Sequence, residues 1–160
     1  MNMKYGIKNH DARYFVGVEY PGGVKIGVKN QIGKYWKDFF EKDFPAIDDV
    51  KDGGKFIGLE CYPPDFMETK QFDYFLLCEV NKNYNQEGFI SKKLPQGRYA
   101  CFPIAFDNIL SEIPRVYEFI KENNIKINHG FDYEDYLQEE DYTKSGAILN
   151  FCLKLVDDNE

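Results

Sequence analysis

Residues 13–20 read RYFVGVEY, and residues 98–106 read RYACFPIAF. Each opens with Arg-Tyr and continues as a short apolar, aromatic-rich run, the composition of a strand. Each is followed by a segment with helical periodicity. Residues 28–44 place Ile32, Tyr35, Trp36, Phe39 and Phe40 at i, i+3, i+4, i+7 and i+8, and Pro45 ends the pattern. Residues 107–124 put Ile109, Leu110, Ile113, Val116, Tyr117 and Ile120 on one face. Ser111 is the expected N-cap there, because it leaves Pro114 in the first turn, where a missing N–H costs little. Two strand-like runs then follow each helix: 55–62 (KFIGLECY) and 72–80 (FDYFLLCEV) after the first, 131–137 (FDYEDYL) and 147–156 (AILNFCLKLV) after the second. The order is strand, helix, strand, strand, twice over.

Matching letters accompany the matching order. Besides the two Arg-Tyr pairs, Glu60-Cys61-Tyr62 and Glu134-Asp135-Tyr136 both fall on the strand after a helix, which points to an internal duplication. Residues 81–91 (NKNYNQEGFIS) are polar and glycine-containing and read as the link between halves at about 12–80 and 92–157 of one domain spanning 1–160. The expected fold class is α+β: duplicated βαββ units form a curved antiparallel sheet with both helices on one face. Alternation along 55–62 separates Ile57, Leu59 and Cys61 from Phe56, Gly58, Glu60 and Tyr62. The first set reads as core, and the mixed aromatic and acidic set is expected to look away from the helices, lining a groove between the halves.

A chain of 160 residues with 43% hydrophobic and 17% aromatic content has enough apolar side chain for one sizeable core, which excludes general disorder. The net charge of −7 repels phosphate backbones and anionic membrane surfaces, so direct DNA binding is not expected. The longest uncharged stretch, residues 145–153, is far short of the ~20 residues that span a bilayer. With no secretory signal in the sequence, the expected location is cytoplasmic. Cys61, Cys78, Cys101 and Cys152 each sit in an apolar run without zinc-type spacing, and they read as reduced core cysteines. Neither a cofactor nor a metal is expected.

Glu134 stands out chemically. It is a strand carboxylate among Phe131, Tyr133 and Tyr136, costly to bury without a partner. Such a partner is either a cationic or hydrogen-bond-donating ligand, which aromatic faces also attract, or water at an exposed sheet edge. Glu60, beside Phe56 and Tyr62, has the same two readings. Trp36 on the first helix is either core or groove rim. His10 and His129 belong to no nucleophilic triad and read as loop residues, and Gly22-Gly23 and Gly53-Gly54 read as turns.

The string Leu94-Pro95-Gln96-Gly97-Arg98-Tyr99-Ala100-Cys101-Phe102 resembles the I-P-x-G-x-Y-A-x-F signature of GyrI-like, or AraC-type, effector-binding domains. Tyr133-Glu134-Asp135-Tyr136 is similar to the Y-E-x-Y strand of that family. The first half, through Tyr35-Trp36, Phe56-Ile57-Gly58-Leu59 and Phe72-Asp73-Tyr74, looks like its partner repeat. The resemblance implies a ligand groove between two repeats, with Glu134 facing it as the acid that recognises lipophilic cations in multidrug-sensing relatives. Relatives often fuse this domain to a helix-turn-helix, and with 12 residues before Arg13 the stand-alone form is expected. Three functions follow as expectations: binding an amphipathic aromatic or cationic small molecule, hydrolysis of strained electrophilic toxins with Glu134 as the candidate catalytic group, or inhibition of a DNA enzyme as its protein partner.

Overall fold

The computed structural model describes residues 3–137 and 139–157; Gln138 and the outermost residues of the 1–160 assignment lie outside it. Nine strands among the described residues are β1 (Gly6–His10), β2 (Arg13–Glu19), β3 (Val24–Lys25), β4 (Phe56–Cys61), β5 (Gln71–Val80), β6 (Ile90–Leu94), β7 (Gly97–Ala105), β8 (Phe131–Tyr136) and β9 (Ile148–Lys154). The α-helices are α1 (Ile32–Asp38), α2 (Phe66–Thr69) and α3 (Ile109–Glu122). Hydrogen-bonded neighbours run β1-β7-β9-β8-β4-β5-β2-β6, with β3 pairing β5 off this path, and each of these pairings is antiparallel. The expected βαββ order is present in both halves, and the two meet at the central β4·β8 seam.

Two strands were not expected from the sequence. β1 is largely exposed and lacks an apolar alternation, and β6 (ISKKL) straddles the end of the expected inter-half link, residues 81–91, and the start of the second half. Their pairing explains the shape of the molecule. β1 pairs with β7 and β6 with β2, yet only residues 11–12 separate β1 from β2 and only 95–96 separate β6 from β7. Two residues reach no more than about 10 Å, so the two ends of the sheet must come together at one corner, and the sheet curls into a half-barrel. His10↔Gly97 and Arg13↔Leu94 are the pairs on either side of that corner.

The inside of the curl is a core of its own. Phe15, Ile57, Leu59, Leu77, Leu94, Tyr99, Cys101, Tyr133 and Cys152 pack together there. The outer face carries two further clusters. α3 covers Phe102, Leu149, Phe151 and Leu153, while the α1 segment covers Val16, Leu76, Cys78 and Val80. Both helices therefore lie on one side of the sheet, as expected. All four cysteines are free thiols, three of them buried. No helix among the described residues is long and apolar enough to cross a membrane.

Helix ends differ from the sequence reading for local reasons. The first helical segment begins at Ile32, whose N–H is taken by Asn30 Oδ1, and after α1 it loosens into a π turn (Phe39–Asp43) and a 3-10 turn (Phe44–Ala46) that contains Pro45. The second starts three residues before the expected cap. Asn108 is its N-cap, Ser111 Oγ donates back to the Asn108 carbonyl at 3.0 Å, and Pro114 lies inside the helix. The carbonyl left free by Pro114 belongs to Leu110, which is 88% exposed, so water can take it.

Candidate functional site

Register across the central seam brings the acids together. In the β4·β8 pairing Phe56 stands opposite Tyr136, Gly58 opposite Glu134, and Glu60 opposite Asp132. Side-chain period 2 then puts Phe56, Glu60, Asp132, Glu134 and Tyr136 on one face. That face is the one the helices occupy, which corrects the expectation that it looks away from them. Trp36 of α1 meets Tyr136 edge-on at 5.3 Å, and the Tyr117 hydroxyl of α3 donates to Asp132 Oδ2. The dry face of β4, Ile57 and Leu59, lies inside the curl, because a curled sheet supplies its own cover there. Alternation separated the two faces correctly; what it could not give was the curvature that lets the bare face bury itself.

Between α1 and α3 lies a cleft of about 1960 Å³. It is wider than the ~300–1,000 Å³ of most small-molecule pockets. Ile32, Trp36 and Phe40 line one wall, Ile109, Ile113 and Tyr117 the other, and Tyr74, Glu60, Glu134 and Tyr136 belong to the sheet beneath. Glu134 is 5% exposed, and its Oε1 accepts hydrogen bonds from Tyr74 and Tyr136, both at 2.7 Å. Trp36 Nε1 donates to the Tyr74 hydroxyl at 3.2 Å, so the indole fixes the phenol that fixes the carboxylate. Burial, and next to it the Glu134 charge, raises both tyrosines well above the usual phenol range, which keeps them neutral donors.

Gly58 makes the arrangement possible. A Cβ at this position would lie 2.1 Å from the Tyr74 hydroxyl oxygen and 2.7 Å from Glu134 Oε1. The hydrogen bond runs through the space a side chain would fill.

Alongside lies a second acidic group. Tyr62 Oη is 2.8 Å from both Glu60 Oε2 and Asp132 Oδ2. Burial pushes both carboxyls up, Glu60 well above the usual range, with the neighbouring Asp132 and Glu134 charges adding to it. Among the described residues no salt bridge reaches Glu60, Asp132 or Glu134.

Of the residues selected from sequence, the cleft brings together Trp36, Phe56, Glu60, Tyr62, Glu134 and Tyr136. Phe131 and Tyr133 are not among them. They occupy the opposite face of β8, against Tyr99 at 6.4 and 5.8 Å. The sequence reading omitted Tyr74, Asp132, Tyr117 and Gly58. Asp132 was accessible to period-2 reasoning, since it shares a face with Glu134. Tyr74 and Tyr117 needed the register and the helix position.

A deep aromatic cleft floored by uncompensated carboxyls on a half-barrel sheet defines an effector-binding protein. Residues 6–148 match the family of integron-associated effector binding proteins (Cass2), and the chain belongs to it. This agrees with the GyrI-like resemblance in the sequence. Among solved structures, SAV2435 bound to tetraphenylphosphonium is 15% identical, with a TM-score of 0.74 over 96% of this chain and 94% of that one. The integron cassette protein VCH_CASS2 of Vibrio cholerae is 17% identical, with a TM-score of 0.65 over 95% of each chain. The EcmrR C-terminal domain is 8% identical, with a TM-score of 0.71 over 98% of this chain and 99% of that one. These identities speak for the fold. No curated protein matches the chain. The family and its ligand-bound relative support small-molecule binding as the general activity.

Proposed function

We propose that the protein binds an amphipathic, aromatic cation in the cleft between its two halves, with Glu134 as the charge partner and Trp36, Phe56 and Tyr136 as apolar contacts. The observation that carries this reading is the state of Glu134: 5% exposed, held by two tyrosine hydroxyls, and without a salt bridge among the described residues. Hydroxyl donors orient a carboxylate but leave its charge uncompensated, and a cation over aromatic faces gains about 0.5–2 kcal/mol per contact. The tetraphenylphosphonium bound by SAV2435 supports the ligand class. The proposal takes the chain as two repeats, about 12–80 and 92–157, that sense or sequester the ligand in the cytoplasm.

Titration with a planar cationic dye tests it. The dye is expected to quench Trp36 emission saturably in the micromolar range, and an absence of any saturable change refutes the cleft as a binding site.

One observation favours hydrolysis as the second reading. Glu60, pushed up by burial, lines the cleft together with Glu134, as a general acid would. Incubation with strained-ring and ester compounds, followed by mass spectrometry, separates the two. Product formation abolished by Glu60→Gln or Glu134→Gln is the enzymatic outcome; saturable binding without product is the binder's.

A further inference from the structure

The Glu60 and Asp132 carboxyls contain a proton-counting problem. The Tyr62 hydroxyl lies at 2.8 Å from an oxygen of each, yet a phenol has one hydrogen to give. One of the two contacts therefore sets lone pair against lone pair unless a carboxyl carries a hydrogen. Tyr117 also donates to Asp132 Oδ2, so that oxygen is well supplied. Asp132 Oδ1, in contrast, has no hydrogen-bond partner although the residue is 0% exposed. A hydrogen on Glu60, opposite Asp132 in register, removes one of these difficulties: donated to Tyr62 Oη it resolves the shared phenol, and donated to Asp132 Oδ1 it supplies the missing partner.

Position gives that proton a consequence. Asp132 is sealed beneath its neighbours, whereas Glu60 lines the cleft, as Glu134 does. Glu134 stands opposite Gly58 and Asp132 opposite Glu60, so the backbones of the two cleft acids are offset by two residues along the seam, about 7 Å, while the Glu60 carboxyl comes within hydrogen-bonding reach of both Asp132 and Glu134. The titratable groups around Glu60 are Tyr62 on its own strand, Tyr74 opposite it on β5, Asp132 and Glu134 on β8, and Tyr117 on α3. None is cationic. The basic side chains on the cleft lining, Lys25, Lys29 and His129, are exposed. Three ionised acids in this setting would repel one another, and a bound proton relieves that repulsion.

We propose that Glu60 is a second cation subsite, which holds a proton shared with Asp132 and releases it to solvent when a ligand's second, N–H-bearing cationic group arrives. This rests on Glu134 as the primary charge partner and narrows the ligand class. Single cations are bound on Glu134 alone, and diamine-type amphiphiles, with two ammonium groups joined by a short chain, engage both acids. The bookkeeping is one proton lost from Glu60 to the buffer for one ammonium gained.

Calorimetry on the full chain tests this with two probes that differ at one group, N-(1-naphthylmethyl)propylamine and N-(1-naphthylmethyl)propane-1,3-diamine. Each is titrated at about pH 6, the value to which burial pushes Asp132, in phosphate and in Bis-Tris, buffers with different ionisation heats. The diamine is expected to bind about tenfold or more tightly, the scale of a charge-assisted hydrogen bond. Its heat should differ between buffers by close to one proton, with the monoamine's difference far smaller. Glu60→Gln should abolish both distinctions. If the monoamine binds and the diamine shows neither tighter binding nor buffer-dependent heat, the second subsite is wrong while the Glu134 reading stands. If neither amine binds, both fall.

Discussion

Replacing Gly58 with alanine perturbs the site without removing a single polar group. The new methyl would start 2.1 Å from the Tyr74 hydroxyl oxygen, 2.7 Å from Tyr74 Cζ and 2.7 Å from Glu134 Oε1. Ordinary contact begins near 3.4 Å, so the phenol must retreat by about 1 Å in a core with little free volume. Tyr74 is 1% exposed and its strand pairs on both sides with β2 and β4, which removes the easy routes of escape. The hydrogen bond to the Glu134 carboxylate is broken or badly stretched, worth about 1.5–3 kcal/mol. Overpacking adds about 1–3 kcal/mol. A loss of roughly 3–5 kcal/mol corresponds to a melting temperature lower by roughly 6–20 °C at this chain length. Thermal unfolding followed by circular dichroism measures it. Gly33→Ala is the control, because nothing lies within 4 Å of its Cβ and its place in α1 favours alanine by about 0.5–1 kcal/mol. If Gly58→Ala melts within 2 °C of the parent by rough allowance, the packed hydrogen bond between Tyr74 and Glu134 is not the structural element described.

Three further outcomes test neighbouring parts of the account. Glu60 is raised in the folded state relative to the unfolded chain, so its contribution is fully present below the ordinary carboxylate range and is lost as pH rises through the folded value; Glu60→Gln should flatten that decline in denaturant midpoint with pH and stabilise the protein at neutral pH. Tyr133→Phe should leave cation affinity unchanged, because Tyr133 lies on the inner face, and a tenfold or larger loss in calorimetry, about 1.4 kcal/mol, would contradict the face assignment. Arg13→Met should cost stability, about 2 kcal/mol by urea unfolding, with ligand affinity preserved. The reason is that Arg13 holds Glu79 through two contacts at 3.0 and 3.1 Å, and although burial alone would raise the Glu79 carboxyl, Arg13 keeps it below its usual range.

The repeated element order was legible because each unit announces itself locally: an Arg-Tyr strand, an aromatic helical stripe, two apolar runs. Glu134 and Glu60 were legible for a related reason, as carboxylates among aromatics in strands that must be buried somewhere. β1 and β6 were not, since GIKNH and ISKKL derive their strand conformation from partners more than 70 residues away, and nothing in either stretch encodes that pairing. The curl that follows from their pairing decided which side of β4 faces the cleft. Tyr133 was taken with Glu134 for its nearness in sequence, although period 2 assigns neighbours to opposite faces. Tyr74 entered the site from 60 residues away through cross-strand register and a missing side chain at Gly58.

The central claim is that Glu134 supplies a charge to a cation in this cleft. It is tested most directly with (1-naphthylmethyl)trimethylammonium and its neutral carbon isostere, 1-neopentylnaphthalene, binding to the parent protein and to Glu134→Gln. The pair matches in shape and differs in charge, and the variant keeps side-chain volume and an oxygen that can accept from both the Tyr74 and Tyr136 hydroxyls. The account predicts a preference for the cation in the parent that falls by about tenfold or more in Glu134→Gln, the scale of one charge-assisted contact, leaving what the aromatic faces contribute. Equal affinities in the parent, or a cation preference that survives the substitution undiminished, would contradict it.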